Sequence, residues 1–82
     1  MVAEFVEWVD SQSPDGPWVS PDDLDGTVCR CYSVGYIARD DEETLTLAIS
    51  YHADETGRPH EWGHPLVIPK VAIVRRFRVP VV

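Results

Sequence analysis

The stretch "TVCRCYSVGYIARDDEETLTLAISYH", residues 27–52, decides what kind of chain this is. Its second half alternates: Leu45, Leu47, Ile49 and Tyr51 fall on one side of an extended backbone, Thr44, Thr46, Ala48 and Ser50 on the other. That is the period of a strand with one buried face. Its first half is β-prone throughout but contains Gly35, and a missing side chain inside a strand marks a bulge, a sharp bend or a close backbone approach. The acids between the halves, Asp40 to Glu43, read as a solvated tip that discourages edge aggregation. Two strands joined by such a tip predict a meander hairpin with one face on a core.

On the N-terminal side, "VAEFVEWVD" is rich in β-branched and aromatic residues and predicts a strand from Val2 to Val9. A long loop follows over residues 10–27. Within it Ser20 is placed to cap, Pro21 suits a first helical position, Asp23 takes the capping-box position and Gly26 ends the turn. On the C-terminal side, "ADETGRPHEWGHP", residues 53–65, has two glycines, two prolines and no useful periodicity, so it reads as a second loop. "LVIP" then predicts a fourth strand, "PKVAI" a 3₁₀ turn, and "IVRRFRV" a fifth strand.

Eighty-two residues make one domain, residues 1–82, burying about 60–65% of the unfolded surface, which leaves little room for a deep cleft. Five short strands, a long first loop and a turn before the last strand predict an all-β, partly open five-stranded barrel of the Src-homology-3-like or Sm-like type, since closure removes exposed edges. The segments "VEWVDSQSPDGPW", "SVGYIARDDEETLTLAIS" and "IPKVAIVRR" together resemble a group of short phage and prophage proteins of largely uncharacterised function. The resemblance covers most of the chain and implies an accessory protein of a bacterial virus. It carries over no catalytic residue. "ADETGRPHEWGHP" departs from it, being longer and richer in histidine than that pattern.

Acidic groups dominate, and the formal net charge is −7. Residues 1–57 hold 13 acids against two arginines, while residues 58–82 hold one glutamate against five basic groups. Such a body opposes binding of a long polyanion, so nucleic acid, including an Sm-like RNA ring, is the least expected partner. The first ten residues carry acids and no basic region, and no apolar run reaches the roughly 20 residues of a membrane span. A cytoplasmic protein is expected, in the host cytoplasm if phage-encoded. Cys29 and Cys31 would stand about 6.5 Å apart on one face of a strand, near the limit of disulfide geometry, and are expected as free thiols.

"RPHEWGHP", residues 58–65, contains H-E-x-x-H. A zinc peptidase needs that pattern on a helix, which places both histidines on one face with the glutamate near the metal-bound water. Pro65 pushes His64 out of helical conformation, Gly63 disfavours a helix, and no His, Asp, Glu or Cys follows His64. His52, His60 and His64, with Cys29 or Cys31, are the remaining candidates for bare metal binding, and three polar loop histidines without a shared partner are the simpler expectation: no metal and no cofactor. "PDDLDG" fails as a calcium loop because its first ligand position is Pro21 and its glutamate position Tyr32. Serines lie in turn clusters and nothing places a histidine beside a cysteine, so no enzyme is expected.

Binding remains. Trp18 in the first loop and Trp62 in the second are candidate contacts, since the chain holds more large rings than its core can hide, and Asp10 is the acidic candidate beside them. They point to a non-enzymatic module engaging a host protein. The alternative is a small anionic nucleotide held between subunits by Arg75, Arg76 and Arg78, with Phe77 interleaved for stacking. Against it, Arg76 and Arg78 would simply solvate an outer face while Arg75 pairs with an acid. The apolar end "VPVV", with Val79, Val81 and Val82, suggests packing on the barrel or on a second subunit, and a homo-oligomer is expected.

Overall fold

A computed structural model describes residues 1–11 and 18–80; Val81 and Val82 lie outside the described residues. The fold is all-β. The strands are β1 (Ala3–Asp10), β2 (Cys29–Asp40), β3 (Thr44–Ala48), β4 (Ser50–Ala53), β5 (Pro59–Gly63), β6 (Leu66–Pro69) and β7 (Ile73–Val79), with 3₁₀ turns at Pro21–Asp23 and Lys70–Ala72. Five strands form one antiparallel sheet in the order β6-β3-β2-β1-β7, and β4 pairs with β5 in a separate two-stranded ribbon. The outer strands β6 and β7 do not pair with each other, so the sheet is open rather than a closed barrel.

Side-chain parity follows from register. Val6 stands opposite Ser33, Ile37 opposite Leu47, and Leu45 opposite Ile68, which sends Val6, Ile37, Leu45, Leu47 and Ile68 to one face. There Val6, Leu45, Leu47 and Ile68 are buried, with Trp8, Ile37 and Ile73 packed around them. The turn at Lys70–Ala72 reaches across to contact β1, so the sheet curls over this cluster. Gly35 permits the curl: a Cβ there would lie 2.8 Å from the Ala48 carbonyl oxygen and 3.1 Å from the Leu47 Cβ. Of the three readings a strand glycine allows, this is close backbone approach, while the bulges fall between Ile37 and Arg39 and between Glu7 and Trp8.

Three expectations are corrected. The alternation through residues 44–51 breaks at Ile49, which is 65% exposed, because β3 ends at Ala48 and the Ile49 N–H donates to the Gly63 carbonyl. Residues 53–65 are not one irregular loop: Asp54 Oδ1 accepts the N–H groups of Thr56 and Arg58, Gly57 takes a positive φ of 84°, and this turn folds Pro59–Gly63 back onto β4. The described residues therefore form seven strands, not five. The expected turn at Pro21 is present, but the Ser20 hydroxyl donates to the Asp23 carboxylate at 2.9 Å instead of capping a backbone N–H. No helix among the described residues is long and apolar enough to cross a membrane.

Candidate functional site

The fold sorts the candidate residues into three places. Trp18 lies in the connection between β1 and β2 and is 92% exposed; Leu24 and Val28, on the same connection, are also exposed. Short local bonds shape the far part of this connection: Ser20 with Asp23, and Asp25, whose carboxylate accepts the Thr27 N–H and hydroxyl and is thereby held below the usual carboxylate range. Asp10 closes β1 at the root of the loop, opposite Cys29, with its carboxylate on the Ser11 N–H. An exposed indole and two exposed aliphatics thus stand on this connection.

Trp62 is elsewhere. It sits on β5 opposite Tyr51, half-buried, its ring centroid 5.7 Å from that of Tyr51, which in turn meets Tyr36 edge-on at 5.2 Å. Tyr36 pairs with Ala3, seven residues along β1 from Asp10, a separation of about 23 Å at strand rise. Trp62 therefore anchors the ribbon to the sheet and does not share a site with Asp10 and the root of the first loop.

The arginines of β7 are divided between the two faces and largely committed. Arg76, on the core side, is the most enclosed: Nε and Nη2 reach the two oxygens of Glu4 at 2.5 and 3.0 Å, and Nη2 also reaches Asp40 at 2.9 Å. Lys70 Nζ lies 2.6 Å from the other Asp40 oxygen, so Lys70 and Arg76 hold the Asp40 carboxyl below its ordinary range. Arg76 thus corrects the expectation that it solvates an outer face. On the opposite face Arg75 pairs with Glu7, as expected, at 2.6 Å, and Arg30 takes the other oxygen at 2.8 Å. Arg75 is the main cause that keeps Glu7, a buried carboxylate, ionised against the opposing effect of burial. An anion at Arg75 or Arg76 would have to displace a carboxylate. Arg78 is exposed and makes no ion pair among the described residues.

H-E-x-x-H is strand and turn. His60 and Glu61 lie on β5, His64 has a positive φ of 49°, and Glu61 turns toward His52, 3.8 Å away. Among the described residues no three His, Cys, Asp or Glu side chains converge on a point that could hold a metal. Cys29 and Cys31 are free, with Sγ atoms 3.9 Å apart. Burial, then Cys29, then the Asp10 charge push the Cys31 thiol up, which leaves it a weak nucleophile at neutral pH. Clefts of about 110 Å³ beside Trp62 and 200 Å³ beside Leu47 fall below the ~300 Å³ from which small-molecule sites begin, and a depression of about 370 Å³ over the acidic tip, lined by Arg39 and Asp41 to Thr44, lies wide open to solvent.

Sequence reasoning missed a second apolar surface. Phe5 stands between Val34 and Phe77 in register, and its ring contacts both Tyr32 and Phe77, at 6.1 and 6.3 Å between centroids. This row lies on the side of the sheet away from the core. Its signal was legible in β2, where Tyr32, Val34 and Tyr36 recur at period two. No protein family, curated protein or solved structure matches the chain.

Proposed function

We propose that this chain is a non-enzymatic binding module of phage type, acting in the host cytoplasm, which engages a host protein through the surface of its first loop. The observation that carries the reading is Trp18, a large ring 92% exposed on a connection long enough to present it. Loops held by a rigid sheet are where recognition concentrates, and exposed tryptophan is the side chain that most often dominates an interface. The strand order, with β7 returning beside β1 after a 3₁₀ turn, supports a partly open barrel of Src-homology-3-like or Sm-like kind.

Trp18→Ala should weaken capture of the host partner about thirtyfold or more, the range of an interface hot spot, while leaving the circular dichroism spectrum unchanged. Trp62→Ala should instead loosen the ribbon, and Asp10→Asn should lower the association rate more than the dissociation rate. Quantitative pull-down from host lysate with each variant reads this directly. Identical partner recovery by wild-type protein and Trp18→Ala would refute the reading.

A further inference from the structure

The strand β2 places its large side chains on the side opposite the core. Cys31 and Ser33, with Gly35, face the buried cluster, whereas Tyr32 and Val34 are 59% and 56% exposed on the outer side. Register extends that outer side into rows three strands wide: Phe77, Phe5 and Val34, then Arg75, Glu7 and Tyr32; the next row, Val79, Ala3 and Tyr36, is already closed within the chain, with Ala3 buried and Tyr36 against Tyr51 of the ribbon. In a half-buried strand the apolar set marks the side that is covered. β1 itself is apolar on both sides, with Val6 and Trp8 inward and Ala3, Phe5 and Val9 outward, the pattern of a strand enclosed from both.

The area deficit has the size of a subunit interface. A folded chain of 9.3 kDa ordinarily exposes about 5,000 Å²; this one exposes 6453 Å². That excess of roughly 1,500 Å², shared between the projecting ribbon, the long loop and the outer face, is of the order of the ~800 Å² that each partner contributes to a stable interface. Charge favours a second copy as the occupant. The acids that dominate the molecule lie in its turns, at Asp22, Asp23, Asp25, Asp40–Glu43, Asp54 and Glu55, and the outer rows hold a single carboxylate, Glu7, already bonded to Arg30 and Arg75. Two copies can therefore meet there without bringing acid onto acid.

From these observations we infer that the outer side of β2, β1 and β7 is the interface of a homodimer, two sheets packing face to face across an axis near Phe5 and Phe77. Trp18 belongs to none of these rows, so the two surfaces can be tested separately.

Light scattering on the purified full chain over a wide dilution series should give twice the 9.3 kDa mass. Tyr32→Lys and Phe77→Lys should each raise the dimer dissociation constant about thirtyfold or more. Val71→Lys, at a residue 98% exposed on the turn before β7, should leave it unchanged. Both interface positions are half-exposed in the single chain, and circular dichroism distinguishes loss of association from loss of fold. A wild-type monomer at the highest concentration overturns the inference and leaves the outer rows to a different partner. An oligomer that survives both substitutions overturns it too, by placing the contact elsewhere. Trp18→Ala should still dimerise, so failure here and failure of the loop reading give different results.

Discussion

A Cβ at position 35 would sit 2.8 Å from the Ala48 carbonyl oxygen, a backbone atom that cannot swing aside. Gly35→Ala should therefore destabilise the fold by about 1–3 kcal/mol, the usual range for an overpacked site, read as a lower urea midpoint. Glycine in a strand was legible as a site of close approach because few other reasons keep one there. Ile49 was not legible in the same way. Its parity matches Leu45 and Leu47, but parity is meaningful only while a strand continues, and the turn of the chain after Ala48 was invisible to a two-residue period. The outer aromatics failed for a related reason. Tyr32, Val34 and Tyr36 announce an apolar side of β2, yet which side carries the core is fixed by β1 and β3 together, through pairs such as Val6 with Ser33 and Ile37 with Leu47.

Among the elements, the tip between β2 and β3 does more than turn the chain. Asp41 Oδ1 accepts the N–H groups of Thr44 at 2.8 Å and Glu43 at 3.0 Å, and these bonds, with Arg39 adding to them, lower its pKa to about 2. One residue earlier Asp40 joins Lys70 and Arg76, tying the tip to the turn before β7 and to β7 itself. Both carboxyls titrate lower in the folded chain than in the unfolded one, so below about pH 4 the unfolded chain binds protons first and stability falls. Urea midpoints should be flat with respect to these groups above about pH 5 and decline from about pH 4 toward pH 2. Asp41→Asn should be less stable at neutral pH and show a shallower decline. The tip and both 3₁₀ turns were legible from Asp, Ser and Pro at fixed offsets. β5 was not, because "PHEWG" has little strand propensity of its own, and it is pairing with β4 across the turn at Asp54, Thr56 and Gly57 that makes it a strand.

At the scale of the molecule, the chain is long for its mass. It measures 58 × 23 × 23 Å with a radius of gyration of 16.5 Å, where a compact domain of this length has about 12 Å. Among the described residues the fully buried large side chains are Leu45, Ile68 and Val6. Heat capacity and denaturant sensitivity both scale with the surface that unfolding newly wets. A dilute single chain should thus have an m-value below that of other proteins of its size, a broad calorimetric endotherm and a flat stability curve. If a second copy supplies the missing cover, the melting temperature should climb with protein concentration, and the transition should sharpen as it does.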